Sequence, residues 1–276
     1  MGKQIVYKVE PGMDIQNVLC TTYQMRNFYT QFRDGFFSNL DVMNYIQHEA
    51  AAKMAKKGMH VVDVCCGRSL ILPLLRWHSK GIASYTGVDI SATNIREAMR
   101  GASKKLTMED LKKGYYPFRV QWKQSNVAEM SKVIPQGSVD FVVYTSAIEH
   151  MHKDVGAQSL RECHKIMKAG AKMFLSCPNT PGNGYNTQYA AHVYEWGYDE
   201  LKSEVSRIGF AIRKEVGLVM KAKNMEDFYA KIPDGSDLKK FYLAMREYVP
   251  TDWLTAIMSI PFPKASQEIL FIVQKV

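Results

Sequence analysis

The sequence predicts an α/β protein built on a doubly wound, mostly parallel sheet of seven strands. Seven short apolar runs follow one another from residue 59 onward, and helix-like segments separate the first five. The runs are apolar throughout, as strands are when helices cover both faces of a parallel sheet. The chain has 276 residues, of which 46% are hydrophobic, so it can bury a sizeable core.

The elements follow in order along the chain. The predicted strands are 59–64, 84–88, 118–124, 139–144, 172–176, 211–219 and 269–274, and the predicted helices between the first five are 70–80, 91–100, 127–133 and 155–168. Turn residues and changes of hydrophobic period mark the boundaries.

Two further segments surround this alternating core. Residues 11–57 have helical spacing of apolar and aromatic side chains, with Asp41 as the predicted N-cap of the second helix there. A second helical segment separates the last two strands, with predicted helices at 225–231 and 236–248. We therefore expect an N-terminal helical lid, 1–57, and one domain, 58–276, with a helical insert at 220–267. Both additions are expected to cover the carboxyl ends of the strands, where open α/β sheets bind ligands.

Composition narrows the classes of function. No apolar stretch approaches the roughly 20 residues of a membrane helix, and residues 1–10 carry no signal-peptide core, so we expect a cytoplasmic protein without a membrane partner. The five cysteines include no CxxC pair, which favours a reducing compartment. No Cys/His quartet has zinc spacing, and His150 and His152 stand only two apart, so no metal is expected.

The net charge is 36 − 27 = +9, and much of the excess lies in residues 96–123. This stretch fits either a polyanion partner or a solvated basic face.

Polar residues follow the first three predicted strands. Asp63 opens the turn Asp-Val-Cys-Cys-Gly-Arg-Ser after the first strand, Asp89 ends the second and Asn126 follows the third. A small-residue turn running into a helix lets the backbone approach a ligand closely, and an acid such as Asp89 suits a ribose. The alternative is that Asp89 simply caps the helix that begins at Ser91 or Ala92.

The order of these pieces, with Asp140-Phe-Val-Val in the fourth strand, Glu149-His150 after it and Lys168-Ala-Gly-Ala before the fifth, resembles the class I S-adenosylmethionine-dependent methyltransferases. The resemblance covers about residues 59–219 and the last strand. It implies a Rossmann-like fold, S-adenosyl-L-methionine as cofactor and S-adenosyl-L-homocysteine as product. The turn departs from the family pattern, with Cys65 and Ser69 where glycines are usual.

The resemblance also implies the site residues. Those expected to hold the cofactor are Asp63, Cys65, Gly67, Ser69, Asp89, Ile90, Asn126, Val127, Tyr144 and Thr145. The residues expected near the acceptor are Tyr23, Tyr29, Ser146 and Asn179. Cys65 and Cys66 are read as packing residues rather than nucleophiles.

Methyl transfer from a sulfonium needs alignment of donor and acceptor, and needs a general base only if the acceptor must lose a proton first. His150, after the fourth strand, is the candidate base or acceptor contact, with a purely structural role as the alternative. The expected acceptor is an oxygen, nitrogen or carbon atom of a small molecule. An RNA or nucleotide substrate and a non-catalytic cofactor-binding subunit remain alternatives, and duplex DNA is disfavoured because no D/N-P-P-Y tetrapeptide follows the fourth strand. Oligomeric state is not readable from the sequence.

Overall fold

The structure, a computed structural model, describes residues 39–79, 81–104 and 116–276. The helices are α1 (Asn39–Met54), α2 (Leu72–His78), α3 (Ala92–Lys104), α4 (Lys153–Ile166), α5 (Tyr198–Ile208), α6 (Ala222–Ala230), α7 (Asp237–Tyr248) and α8 (Thr251–Met258). The strands are β1 (His60–Val64), β2 (Ser84–Asp89), β3 (Arg119–Gln124), β4 (Val139–Thr145), β5 (Met167–Pro178), β6 (Phe210–Leu218) and β7 (Glu268–Lys275). Short 3₁₀ helices lie at Val127–Lys132, Ile148–His150 and Pro263–Ala265.

The seven strands form one sheet in the order β3-β2-β1-β4-β5-β7-β6. β1 to β5 pair in parallel, and β7 runs antiparallel between β5 and β6. The predicted doubly wound, mostly parallel seven-stranded sheet is therefore confirmed. Because β6 runs parallel to β5, the insert leaves the sheet after β6 and returns at β7 on the carboxyl edge of the parallel strands.

Alternating strand residues divide the core into two layers. On one face, Val61 and Phe141 pack with residues of α1, α2 and α8. On the other face, Val62 and Tyr144 pack with residues of α4, α5 and the first 3₁₀ helix. The period-two alternation of side chains produces this division, and it explains why every residue of β2 is buried.

The insert builds a smaller apolar cluster of its own. Tyr229 of α6 and Tyr242 of α7 stack with ring centroids 4.2 Å apart, and both pack with Leu254 and Met258 of α8. α8 also contributes Ala256 to the core layer that contains α1. The insert is thus fastened to the α1 side of the sheet.

Several predicted boundaries were wrong. Asp41 is not an N-cap, because α1 already begins at Asn39 and Asp41 lies in its first turn. α8 was not predicted, although Pro250 immediately precedes it and a proline at a helix start costs little because no intrahelical N–H is lost there. The segment predicted as a helix at 127–133 is a 3₁₀ helix, and β5 begins at Met167, five residues before the predicted strand.

None of the described helices is long and apolar enough to cross a membrane.

Candidate active site

The turn after β1 adopts an unusual backbone. Cys65, Gly67 and Ser69 all have positive φ, at 53°, 50° and 57°. The Cys66 N–H donates to the Val88 carbonyl at 2.9 Å, which ties the turn to β2. Cys65 and Ser69, which stand where the family usually has glycine, therefore adopt the left-handed conformation, which costs glycine less.

Asp89 at the end of β2 organises this turn. Its two carboxylate oxygens accept the Gly67 N–H at 2.9 Å and the Ser91 N–H at 2.8 Å, and the Asn94 side-chain amide lies 3.4 Å away. Burial raises the pKa of this carboxyl, and the hydrogen bonds from Ser91, Gly67 and Asn94 oppose that rise. Asp89 thus does cap the segment that leads into α3, and it lies at the carboxyl edge as a ribose ligand would.

Ile90, next to Asp89, is an apolar side chain that is 50% exposed at the carboxyl edge. Such a surface suits a planar ring, and the neighbouring carboxylate suits vicinal hydroxyls. The carboxylate acceptor and the exposed apolar face therefore fit S-adenosylmethionine.

Asp63 lies at the end of β1 and is almost fully buried. Burial raises its pKa to about 7, an effect that the Tyr85 hydrogen bond reduces and the nearby Asp89 charge increases. The Tyr85 hydroxyl donates to Oδ2 at 2.7 Å. An acid that titrates near neutrality at this position can pair with a cationic amino group when it ionises.

Asn126 follows β3 and is the N-cap of the Val127–Lys132 helix, where its Oδ1 accepts the Ala128 N–H at 2.9 Å. Val127 is buried in the core. The two residues lie at the same edge as Asp63 and Asp89, because β1, β2 and β3 are parallel neighbours. Their contacts with an adenine stay a prediction.

Cys66 is buried and Cys65 is partly buried, and desolvation raises the pKa of both thiols well above the ordinary value. A thiol that resists ionisation is a poor nucleophile. This agrees with a packing role for both cysteines.

The end of β4 carries three of the predicted site residues. The buried Tyr144 hydroxyl lies 2.8 Å from Ser159 Oγ of α4, so the phenol belongs to the layer beneath that helix. Thr145 Oγ1 lies 3.4 Å from His48 Nε2 of α1. Ser146 follows with a φ of 44°, and its N–H donates to the Ser176 carbonyl. Whether Tyr144 and Thr145 touch the cofactor stays a prediction.

Ser146, which is partly buried, belongs to a polar network that joins the end of β4 to α1, β5 and β7. Its hydroxyl donates to Glu268 Oε1 of β7 at 3.0 Å and accepts from Gln47 Nε2 of α1 at 3.1 Å. The Ser176 hydroxyl of β5 donates to Gln47 Oε1 at 2.6 Å. Burial raises the pKa of Glu268 to about 8, with the hydrogen bond from Ser146 opposing the rise. We call Gln47, Ser146, Ser176 and Glu268 the acceptor network, because Ser146 is one of the residues expected near the methyl acceptor.

Beyond Ser146, the 3₁₀ turn places Glu149 and His150 side by side. Glu149 is 1% exposed, and its Oε2 has no hydrogen-bond partner among the described residues. Burial, then the charges of Glu268 and Glu195, raise the pKa of Glu149. His150 Nδ1 donates to the Ala191 carbonyl at 3.1 Å.

Asn179, after β5, is fully engaged by the fold. Its side-chain amide donates to the Lys264 and Ser266 carbonyls, and its Oδ1 accepts the Tyr198 N–H. The side chain therefore anchors the start of α5 to the insert. Its predicted contact with an acceptor stays a prediction, and the other two predicted acceptor residues, Tyr23 and Tyr29, lie outside the described residues.

Sequence reasoning missed Gln47, Glu268 and His192, which the fold brings to this edge. Gln47 lies within a helix pattern, Glu268 begins the last strand, and His192 lies in the loop before α5. Gln47 and Glu268 lie 99 and 122 residues from Ser146, and His192 lies more than 40 residues from Glu149 and His150, so no local spacing could indicate these contacts. The remaining signal was the acid Glu268 directly before the apolar run 269–273.

A family model for a methyltransferase domain matches residues 41–215. A probable S-adenosylmethionine-dependent methyltransferase of Mycobacterium tuberculosis is 34% identical over 104 residues, which cover 34% of this chain and 34% of that protein. The ubiquinone biosynthesis O-methyltransferase of Pseudomonas aeruginosa is 25% identical over 171 residues, covering 59% of this chain and 66% of that protein. The chain thus matches about a third of the first relative's length and just under two thirds of the second's.

Solved structures share the fold. An S-adenosylmethionine-dependent methyltransferase of Archaeoglobus fulgidus superposes with a TM-score of 0.54 at 18% identity, over 90% of this chain and 99% of that one. A methyltransferase solved in complex with the Haloferax volcanii Trm112 methyltransferase activator superposes with a TM-score of 0.57 at 14% identity. The superposition covers 95% of this chain and 98% of that one. The family match extends over more than half of the chain, and the two solved structures share its fold. This chain therefore belongs to the class I S-adenosylmethionine-dependent methyltransferases.

Proposed function

We propose that this protein transfers a methyl group from S-adenosylmethionine to an oxygen or nitrogen atom of a small-molecule acceptor. The observation that carries the proposal is the convergence at one sheet edge of the Asp89-organised turn, the buried Asp63 and the exposed Ile90. Asp89 would bind the ribose, Asp63 the amino group of the methionine moiety, and Ile90 one face of the adenine.

The bound cofactor supplies an electrophilic methyl group on a sulfonium. The protein's own residues have to hold donor and acceptor in line and exclude water. In this proposal the turn after β1 and Asp89 hold the methyl donor. The acceptor network, where β4, β5 and β7 meet, holds the methyl acceptor. His150 is the proposed base for an acceptor that must lose a proton.

A small acceptor is supported by the cover over the acceptor network. Gln47 of α1 reaches both Ser146 and Ser176, so α1 closes the ends of β4 and β5 from above. Polar side chains that lie beneath a helix in this way suit a small molecule better than a polymer end. The likeness to a ubiquinone biosynthesis O-methyltransferase points in the same direction.

Calorimetric titration with S-adenosylmethionine and S-adenosylhomocysteine tests the cofactor assignment. We expect wild-type binding and a loss of roughly a hundredfold in affinity for Asp89→Ala, since hydrogen bonds to a charged group contribute about 1.5–3 kcal/mol each. The matched control is Asp227→Ala, an exposed acid on α6, which should bind as wild type does.

Because Asp89 also holds the Gly67 and Ser91 N–H groups, the melting temperature without cofactor has to be recorded for each variant. Asp89→Asn, which keeps one acceptor oxygen, serves if Asp89→Ala does not fold. Wild-type affinity in a folded Asp89 variant would refute the ribose assignment. Binding without turnover on any acceptor panel would leave a non-catalytic cofactor-binding subunit.

A further inference from the structure

We propose that Glu149, His150 and His192 form a binding site for a first-row divalent metal ion. One ligand atom of each side chain lies within 4.8 Å of the other two. His150 Nε2 lies 4.0 Å from Glu149 Oε1, and the two imidazole rings meet edge to face with centroids 4.9 Å apart. The inference concerns a different ligand from the methyl donor; it does not depend on the cofactor assignment, but it replaces the general-base role of His150 in the proposed function.

The backbone holds this cluster together. The Val193 and Tyr194 N–H groups both donate to the Glu149 carbonyl, at 2.8 Å and 3.1 Å. The loop that carries His192 is thereby fixed to the 3₁₀ turn that carries Glu149 and His150. Preorganised ligands of this kind are what a metal site requires, since little ordering remains to oppose binding.

Both histidines are oriented in the manner of metal ligands. His150 Nδ1 donates to the Ala191 carbonyl at 3.1 Å, and His192 Nδ1 donates to Glu195 Oε1 at 2.5 Å. In a neutral ring, an Nδ1 that donates leaves the lone pair on Nε2. Metal-bound histidines almost always donate their other ring nitrogen to a carbonyl or carboxylate in this way.

Glu149 provides an independent indication of a ligand. Its side chain is 2% exposed, yet Oε2 has no hydrogen-bond partner in the described part of the chain. A buried carboxylate oxygen without a partner is costly, and a coordinated cation removes that cost. Glu195 adds a second carboxylate directly behind His192, which further favours a positive charge here.

The donor set indicates the class of ion. Two imidazoles and one carboxylate suit Zn²⁺, Fe²⁺, Co²⁺ or Mn²⁺, whereas Mg²⁺ prefers oxygen ligands alone. Three protein ligands leave coordination positions open. A bound ion would lie close to the acceptor network, since Ser146 is only three residues before Glu149. In this proposal His150 is a ligand in place of a general base.

Metal uptake by the full chain tests the site. The protein is stripped with EDTA, dialysed, and titrated with Zn²⁺ by calorimetry and with Co²⁺ by visible absorbance, both without S-adenosylmethionine. We expect one ion per chain in the wild type, an at least tenfold weaker affinity in Glu149→Gln and in His192→Ala, and weak binding of Mg²⁺. Glu195→Gln, which alters only the positioning of His192, should weaken affinity about tenfold.

The matched control is His78→Ala, because His78 Nε2 also lies 2.8 Å from a glutamate, Glu49, but the part of the chain that the structure describes adds no third ligand there. It should take up metal as the wild type does. Sub-stoichiometric uptake, or equal uptake by folded wild type, Glu149→Gln and His192→Ala, would mean adventitious binding only and overturn the site. Because cofactor binding is measured separately in EDTA, a failure of the metal site and a failure of the proposed function give different results.

Discussion

Asp63 is a residue whose environment makes a pH-dependent prediction. Its pKa of about 7 lies above the ordinary value of 3.8, chiefly because it is buried. The folded state therefore holds a proton that the unfolded state releases between these values. The resulting stability is complete below about pH 4 and is lost as pH rises through 7. Asp63→Asn cannot ionise and still accepts a hydrogen bond from Tyr85. In this variant we expect the free energy of unfolding to lose the part of its decrease between pH 5 and 8 that is due to Asp63.

Urea unfolding at pH 5 and pH 8 gives the change in the free energy of unfolding between these pH values. We expect this change to differ by a few kcal/mol between wild type and Asp63→Asn. Asp140→Asn is the control. Burial acts to raise the pKa of Asp140, but hydrogen bonds from the His60 N–H and Lys168 outweigh it and lower the pKa. The stability that the Asp140 carboxylate contributes is therefore lost only as pH falls below about 4. From pH 5 to 8, the free energy of unfolding of Asp140→Asn should change with pH as that of the wild type does. The same slope in all three proteins would contradict the burial effect.

Gly87 shows how closely the turn packs. A Cβ at this position would lie 2.8 Å from Cys66 Sγ and 2.8 Å from Trp122 Cδ1. Trp122 in turn donates its indole N–H to Ser69 Oγ at 2.9 Å. We expect Gly87→Ala to lower the free energy of unfolding by about 1–3 kcal/mol and to weaken cofactor binding, measured by chemical unfolding and calorimetry.

A Cys66→Ala background removes one of the two clashes, so part of the stability should return in the double variant. An unchanged free energy of unfolding in Gly87→Ala would show that Trp122 can move aside without cost.

At the scale of elements, helix α1 is joined to the strand ends through Gln47, which is fully buried. Gln47→Leu keeps the volume but leaves the hydroxyls of Ser146 and Ser176 without this partner. We expect a loss of about 1–3 kcal/mol in the free energy of unfolding, and a fall in kcat with the affinity for S-adenosylmethionine retained. Chemical unfolding, calorimetry and initial rates measure these three quantities.

Gln158→Leu on α4 is the control, because Gln158 lies on a helix of the opposite face and is only partly buried. If Gln47→Leu weakened cofactor binding as much as turnover, the network would belong to the donor side of the site.

The elements also show the reach of sequence patterns. Apolar runs separated by helical segments predicted the sheet, and the polar residues that follow these runs predicted the turn. Each of these patterns is local in the sequence. α8 escaped because it is eight residues long and lies among prolines. The roles of Gln47 and Glu268 escaped because they arise only when α1 and β7 meet β4.

At the scale of the whole molecule, the charge of +9 raises the question of a polyanion. In the described part of the stretch 96–123, Arg96, Arg100 and Arg119 each bond to a side chain of their own element. We expect methyl transfer to a small neutral acceptor to change less than about twofold between 50 and 200 mM salt. An RNA acceptor held by six or more phosphate contacts would instead lose about 10³-fold or more in binding.

Initial rates against a panel of phenolic, amine and RNA acceptors at these two salt concentrations measure the difference. Activity on RNA alone, with a steep loss at high salt, would replace the small-molecule proposal.

The fold class and, through the resemblance, the family could be predicted from the sequence alone, because they follow from local periodicity and from polar residues at fixed places after strands. Only the tertiary structure decided that Asp89 is shared between the turn and the start of α3, that Glu268 meets Ser146, and that His192 lies beside Glu149 and His150. These juxtapositions join residues that are distant along the chain. The packing of helices and loops on the carboxyl edge of the sheet creates them, and no spacing in the sequence records that packing.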